Sequence, residues 1–302
     1  MLNLYNSWLN SAGVRRGIDF NDLISDGYFC PEERQPLLNY AKQLLVGHPE
    51  QEIILKNAAW ILLQSFYYYL LDVASLETAF ICKVNSGIIN DEFSVKFDQE
   101  TKIVASTIII DEGFHTNLAL LAIEKIKEIT NIQPLKTIHD ANIYQILQCC
   151  YEQLNPELHN DFNLLVNCIL ENTLTKDLDL VLTKKDISQL NSFTLDVLEK
   201  HFRDEARHSV YAFKVAEQFW QKLEPTDRLQ LIPALNHFVN EYLEHDILQD
   251  INFNRIILAS LNISYATASA AMEYCQHFNH SHKETLKQSL TIFLQKVGID
   301  LL

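Results

Sequence analysis

The sequence has 302 residues, of which 48% are hydrophobic and 21% charged, as expected for a globular chain with a large buried core. Only seven glycines and seven prolines occur, which argues against a loop-rich or all-β architecture. The formal net charge of −15 repels phosphate backbones, so nucleic acid is not expected as a partner.

The cysteines and the apolar segments indicate a cytoplasmic protein. Six cysteines form no C-x-x-C pair and lie mostly in apolar stretches, which predicts reduced core cysteines. The N-terminal segment has no continuous apolar run, so no signal peptide is predicted. The most apolar stretch, residues 58–81, is interrupted by Gln64, Asp72 and Glu77, which favours a buried helix over a membrane span.

Helical patterns dominate the chain after short helices and loops in residues 1–50. Long helices are predicted at 52–85, 94–130, 143–154, 156–182 and 187–223, and shorter ones at 226–250, 252–262, 264–279 and 282–298. Gly87 offers a stop for the first of them. The β-branched run at 103–110 could form a strand, but the helical pattern continues through Leu118 without a break, so a helix is predicted.

These elements predict an all-α fold in which four long antiparallel helices form a bundle with flanking helices. We expect a single domain over residues 1–302. Its core bundle would span about 50–223, with an N-terminal cap at 1–50 and C-terminal flanking helices at 224–302.

Two predicted helices each carry a Glu-x-x-His sequence whose two side chains share one helix face. These residues are Glu112 and His115 on the first helix, and Glu205 and His208 on the second. His201 lies one turn before Glu205 on the same face. Carboxylate oxygen and neutral imidazole nitrogen are ligands that suit iron or manganese, and this motif on two bundle helices is part of the di-iron carboxylate pattern.

That pattern requires one more buried glutamate on each of two other long helices. Glu77 and Glu171 both lie on apolar helix faces, where an unpaired carboxylate would be very costly. Nearby Asp161, Asp177 and Asp179 compete with Glu171 for the role. The sequence therefore predicts two metal ions held by four glutamates and three histidines, whereas a single Glu-x-x-His alone would indicate only a surface pair.

An aspartate directly precedes the glutamate of each motif. Metal-bound histidines usually donate their other N–H to a carboxylate or carbonyl. We therefore expect crossed contacts, Asp204 with His115 and Asp111 with His208, the alternative being that an aspartate pairs only with Arg207. The two arginines of the second motif, Arg203 and Arg207, are interpreted as ion-pair partners rather than substrate-binding groups.

Together, the spacing resembles that of the AurF-like arylamine N-oxygenases over about residues 50–220. The shared pattern is Glu, then E-x-x-H, then Glu, then H-x-x-x-E-x-x-H. His201 is the discriminating residue, because ordinary ferritin-like di-iron proteins lack a histidine four residues before the last E-x-x-H. The resemblance implies a ferritin-like four-helix bundle that holds two irons with seven protein ligands: Glu77, Glu112, His115, Glu171, His201, Glu205 and His208.

The resemblance also implies the chemistry. Two iron ions, cycling between Fe²⁺ and Fe³⁺, would bind O₂ as a peroxo-bridged diferric species and oxygenate an amine to a hydroxylamine, nitroso or nitro product. The substrate would be an aryl amine, a free amino acid or an aminoacyl group on a carrier protein. Electrons would come from a reductase or small donor, because the chain has no G-x-G-x-x-G fingerprint. No catalytic residue is predicted beyond the metal ligands, and the family suggests a homodimer.

The pocket and two other functions stay open at this point. Tyr69 lies two turns before Glu77 on the same stripe and is a candidate pocket residue, with ordinary aromatic packing as the alternative. Gly113 would leave room for an oxygen species, allow a π-bulge or permit close helix packing. The same metal site would also serve a di-iron oxidase acting at carbon, such as a hydroxylase, desaturase or C–C cleaving enzyme, or a non-enzymatic metal-storage bundle.

Overall fold

A computed structural model describes residues 1–17, 46–47, 49–51, 53, 60, 67, 71, 78–130, 143–182, 192–260 and 269–300. Within these ranges every regular element is a helix, which confirms the predicted all-α, ferritin-like class. The helices are α1 (Leu2–Ser11), α2 (Gly13–Arg16), α3 (78–90), α4 (Gln99–Thr130), α5 (Ile143–Tyr151), α6 (His159–Leu182), α7 (Ser192–Lys222), α8 (Pro225–Ser260) and α9 (Ser269–Val297). A short 3₁₀ turn, Pro156–Leu158, precedes α6.

Helix α3 continues to residue 90, so the predicted stop at Gly87 is wrong. The helix ends at Asp91, which has a φ of 61° and is followed by a Glu92 N–H to Gly87 carbonyl bond of 2.9 Å, as in a Schellman termination. Gly87 serves packing instead. A Cβ there would approach the Phe93 ring to 3.0 Å.

Helix α4 begins at Gln99 rather than at the predicted residue 94. The preceding segment is not helical, and Phe93, Val95 and Phe97 are buried at alternate positions along it. Asp98 then caps the helix, because its carboxylate accepts the Thr101 N–H at 2.8 Å. The β-branched run at 103–110 is helical, as predicted.

The described residues of the C-terminal third form two long helices where four shorter ones were predicted. Helix α8 passes unbroken through residues 250–252, and α9 passes through residues 279–282. Neither predicted break contains glycine or proline, and the asparagine, aspartate, histidine and serine found there are only weak helix breakers. Pro233 also lies inside α8.

The candidate site lies between two apolar clusters along α4 and α7. One cluster includes Ile108 and Tyr211, and the other includes Leu118 and Leu198. The intervening turns of α4 and α7 hold the Glu-x-x-His motifs, so the polar side chains form one layer across the bundle. Helix α6 packs along α7, which brings Glu171 to the same layer.

Among the described residues, no helix combines the length and apolar character needed to cross a membrane. The structure describes the side chains of four of the predicted reduced cysteines, and all four are free. Cys150 and Cys168 are buried as expected, whereas Cys149 is exposed.

Candidate metal centre

Two groups of buried ligand-type side chains lie side by side in the polar layer. The first combines Glu112, Glu171 and His208, and the second combines His115, His201 and Glu205; one ligand atom from each residue lies within 4.8 Å of the others in its group. Helices α4, α6 and α7 therefore bring together six of the seven metal-binding residues predicted from the sequence. Glu77, the seventh, and Tyr69 lie outside the described residues.

Glu112 and Glu205 stand between the two groups. Glu112 places Oε1 at 3.1 Å from His208 Nδ1 and Oε2 at 3.6 Å from His115 Nδ1. Glu205 Oε1 lies 3.5 Å from His208 Nδ1 and 3.6 Å from His115 Nδ1. One carboxylate from α4 and one from α7 therefore face both groups, which is the arrangement that bridging ligands of a two-metal site require.

The atoms that face the centre of the layer lack hydrogen-bond partners of acceptable geometry. Among the described residues they are both carboxylate oxygens of Glu112 and Glu171, Oε1 of Glu205, Nδ1 of His115 and His208, and Nε2 of His201. Buried polar atoms are almost always paired, because each unpaired group costs free energy. Oxygen and imidazole nitrogen converging without partners fit divalent transition metals, iron and manganese among them.

His201 belongs to this set by position as well as by sequence. Its Nε2 lies 3.2 Å from Glu205 Oε1, and its ring centroid lies 4.0 Å from that of His115. The side chain is 11% exposed, slightly more than the other two histidines. It therefore lies at the outer edge of the second group.

The two aspartates contact the histidines of the opposite motifs. His115 Nε2 lies 3.2 Å from Asp204 Oδ2, and His208 Nε2 lies 3.2 Å from Asp111 Oδ2. These are the crossed contacts expected from the sequence, and they leave Nδ1 of each histidine directed at the centre. Arg207 Nη2 also donates to Asp111 at 3.0 Å and to Asp204 at 2.7 Å, so the arginine pairing posed as an alternative is present as well.

Comparison with known proteins identifies the family of this chain. The model of the family described as p-aminobenzoate N-oxygenase AurF matches residues 60–296. The chain belongs to the AurF family. The resemblance inferred from the motif spacing is thereby confirmed, and the family match covers all seven predicted ligand positions.

A curated relative of the AurF-family chain is the 4-aminobenzoate N-oxygenase of Streptomyces thioluteus. The two sequences are 23% identical over 140 residues, which is 46% of this chain and 41% of that protein. The aligned part therefore spans less than half of the relative's length.

Burial and mutual contact shift the pKa values of the glutamates in opposite directions. Burial raises the pKa of Glu171 to about 7, although His208 beside it acts to lower it. Burial opposes ionisation of Glu112 too, but contacts with His115 and His208 outweigh it and lower the pKa of Glu112 to about 2. Burial also opposes ionisation of Glu205, but contacts with His208 and His201 outweigh it and hold the pKa of Glu205 well below its usual range.

The histidines respond to the carboxylates around them. Burial acts to lower the pKa of His115, but Asp204 and Glu112 raise it well above its usual value. The pKa of His208 is raised likewise, because Glu171 and Glu205 outweigh burial. Protons thus balance the buried negative charge in the metal-free protein, and bound cations would replace those protons.

Threonine hydroxyls tie the ligand-bearing helices together at the backbone. Thr175 Oγ1 lies 2.8 Å from the carbonyl oxygens of both Glu171 and Glu205, which joins α6 to α7. Thr78 Oγ1 donates to the Glu112 carbonyl at 3.2 Å, which joins α3 to α4. Thr175 follows Glu171 by four residues, so a hydrogen bond from its hydroxyl to the Glu171 carbonyl is predictable from the sequence. The contact with the Glu205 carbonyl on the neighbouring helix is not.

Glu171 reaches the site, whereas two of the three competing aspartates, Asp161 and Asp179, are paired elsewhere. The side chain of the third, Asp177, lies outside those that the structure describes. Asp161 accepts the Ser94 N–H at 3.1 Å, and Asp179 pairs with Lys176 at 2.6 Å. Glu171 is fully buried, and its Oε2 lies 3.4 Å from His208 Nδ1. The arginines behave as interpreted from the sequence, since Arg207 pairs with buried aspartates and Arg203 forms an exposed pair with Glu199.

Gly113 faces solvent, contrary to the roles considered for it. It is exposed, and a Cβ at this position would meet nothing within 4 Å. It therefore neither leaves room at the metal centre nor permits close helix packing.

Two further residues touch the aspartates and were not found from the sequence. Trp8 Nε1 donates to Asp111 Oδ1 at 2.9 Å, and the Gly13 N–H lies 3.2 Å from both carboxylate oxygens of Asp204. They lie 103 and 191 residues away from their partners along the chain. No local sequence pattern reports contacts of that separation.

Proposed function

We propose that this AurF-family chain is a non-haem di-iron oxygenase that transfers oxygen to the nitrogen of an amine. The observation that carries the proposal is the convergence, on one layer of the bundle, of six residues from three helices, each with a buried ligand atom that lacks a hydrogen-bond partner. Glu77, placed by the sequence pattern alone, would complete seven ligands. We propose iron as the metal on the strength of the family and of the mixed carboxylate and imidazole donor set.

Two irons at this site, when bound and reduced, would supply the activation of O₂. The chain's own residues would hold and orient them. Glu112 and Glu205, which face both ligand groups, would help to hold the metals. Asp111 and Asp204 would fix the ring orientation of His208 and His115 and strengthen both as ligands. The apolar clusters on either side would keep water from the layer.

The family and the curated relative favour an amine nitrogen over a carbon atom as the site of oxidation. We propose an aryl amine, or an amino acid either free or bound to a carrier protein, as the substrate class, with a hydroxylamine, nitroso or nitro product. Electrons would come from a separate reductase or small donor. A homodimer and a cytoplasmic location complete the proposal.

The test is product analysis with labelled oxygen. Protein loaded anaerobically with ferrous iron would be given a chemical reductant, ¹⁸O₂ and a panel of amines, including carrier-bound aminoacyl groups, and products would be identified by mass spectrometry. The proposal expects ¹⁸O on nitrogen. Oxygen found only on carbon would contradict N-oxygenation, and storage of iron with no oxidised product would contradict an oxygenase.

A matched pair of variants separates the metal site from general damage. His208→Ala removes a buried nitrogen that faces Glu112 and Glu205, and should abolish product formation together with iron retention. His159→Ala removes a half-buried histidine whose Nε2 lies 3.3 Å from the Tyr151 carbonyl oxygen and whose ring stacks on that of Tyr151, so product formation and iron retention should both persist. Equal activity of the two variants would contradict the assignment.

A further inference from the structure

The first two helices lie against the outer side of the metal centre. Helices α1 and α2 both pack against α4 and α7, the helices that carry the Glu-x-x-His motifs. These first residues precede the segment that the AurF family model matches, which begins at residue 60. The N-terminal helices α1 and α2 nevertheless donate one N–H to each of the two aspartates that contact the histidines.

These two N–H groups complete the surroundings of the aspartates. Asp111 Oδ2 contacts His208 Nε2 and accepts a hydrogen bond from Arg207 Nη2, and Asp111 Oδ1 accepts one from the Trp8 indole N–H. Asp204 is surrounded in the same way by a histidine, by Arg207 and by a backbone N–H from the N-terminal segment. Both carboxylates are fully buried, where a free lone pair would be costly, so each added donor favours one carboxylate orientation.

The local structure around the two donors is shaped for these contacts. Trp8 is 8% exposed and stacks on Tyr5, with ring centroids 6.0 Å apart. A Cβ on Gly13 would approach Asp204 Oδ2 to 2.8 Å and Phe114 Cε1 to 3.2 Å, so no side chain fits there without displacing the carboxylate or the ring. Only a residue without a side chain can bring its N–H this close.

We propose that helices α1 and α2 are a working part of the metal centre, in which Trp8 and Gly13 are positioning residues. They hold Asp111 and Asp204, and through them the imidazoles of His208 and His115, in the orientation that binds metal. This inference rests on the proposed two-metal site and adds to it an element that the family match does not include.

The test uses cobalt(II) as a probe, because its visible bands report ligand number and geometry without any turnover. Trp8→Phe removes the indole N–H and keeps an aromatic ring. The matched control is Trp220→Phe, which removes another buried indole N–H, bonded to the Gly298 carbonyl at 2.8 Å and remote from the site. Circular dichroism and urea unfolding would establish that both variants fold.

The inference predicts a local effect on the metal. Losing an outer partner of a metal ligand typically weakens binding 10–100-fold, and Asp111 keeps two other donors, so Trp8→Phe should weaken cobalt binding by about 3–10-fold and alter the visible bands. Trp220→Phe should bind cobalt like the wild type. Because Trp8 acts through Asp111, its substitution should have a smaller effect in an Asp111→Asn background, which a merely structural role would not produce.

If Trp8→Phe does not fold, a second pair of variants tests the same positioning role. Gly13→Ala should shift the cobalt bands by displacing Asp204, whereas Gly113→Ala, with open space around its Cβ, should not. The positioning role would be overturned if cobalt binding were unchanged in both Trp8→Phe and Gly13→Ala. It would also be overturned if Trp220→Phe weakened cobalt binding as much as Trp8→Phe does. Wild-type protein that binds fewer than two cobalt ions would instead overturn the two-metal site itself.

Discussion

Replacing Arg207 by methionine should strongly destabilise the metal-free protein. Its Nη2 donates to two fully buried carboxylates, Asp111 at 3.0 Å and Asp204 at 2.7 Å, and the arginine side chain is itself only 10% exposed. Methionine preserves the apolar stem but leaves both carboxylates without their shared cation. Removing one partner of a buried ion pair costs about 3–5 kcal/mol, and we expect a loss of unfolding free energy within that range.

Arg203→Met is the matched control, one turn earlier on the same helix. Arg203 pairs with Glu199 at 3.7 Å, and the two side chains are 47% and 50% exposed. Exposed pairs of this kind contribute about 0.3–0.5 kcal/mol. Urea unfolding followed by far-ultraviolet circular dichroism would compare the two variants. Equal losses, or a loss below about 1 kcal/mol for Arg207→Met, would refute the view that Arg207 balances the two aspartates.

Three further outcomes follow from the structure. Gly113→Ala should raise the unfolding free energy by about 0.5–1 kcal/mol, because the residue is exposed inside a helix with open space for a Cβ. Thr175→Val should lower it by about 0.5–1.5 kcal/mol, because the hydroxyl that joins α6 to α7 is lost. Cobalt binding near pH 7 should release protons and weaken as the pH falls, because His115 and His208 have raised pKa values in the metal-free protein and must lose protons to bind metal.

Each of these outcomes can fail in a defined way. Urea unfolding that shows Gly113→Ala to be destabilised would mean that the glycine has a packing role. An unchanged unfolding free energy for Thr175→Val would mean that the hydroxyl contributes no net stability at the helix contact. Calorimetry in buffers of different ionisation enthalpy measures proton release directly, and a binding enthalpy independent of the buffer would contradict protonated histidines.

The sequence predicts the helical class well because the pattern of apolar residues is long and continuous. It fails at helix ends, where individual contacts decide. Gly87 was interpreted as a stop, but it accommodates the Phe93 ring, and Asp91 ends the helix instead. Helix α4 begins at Gln99, five residues after the predicted start at residue 94, because Val95 and Phe97 are buried in a non-helical segment and Asp98 caps the helix.

The candidate site is more predictable than the helix ends because metal ligands repeat at fixed helical spacing. Glu112 and His115 share a face at three residues, so their proximity follows from α4 alone, and the matching motif on α7 indicates the partner. Contacts between distant segments have no such periodicity. Trp8 and Gly13 reach the site only through tertiary packing of α1 and α2, which no local pattern encodes.

The measurement that tests the two-metal site most directly is the iron content of anaerobically loaded, desalted protein. We predict two iron ions per chain for the wild type. Glu112→Gln should lose most of both, because Glu112 presents one oxygen to each ligand group. Wild-type protein that retains one iron or none, or a Glu112→Gln variant that retains two, would contradict the account.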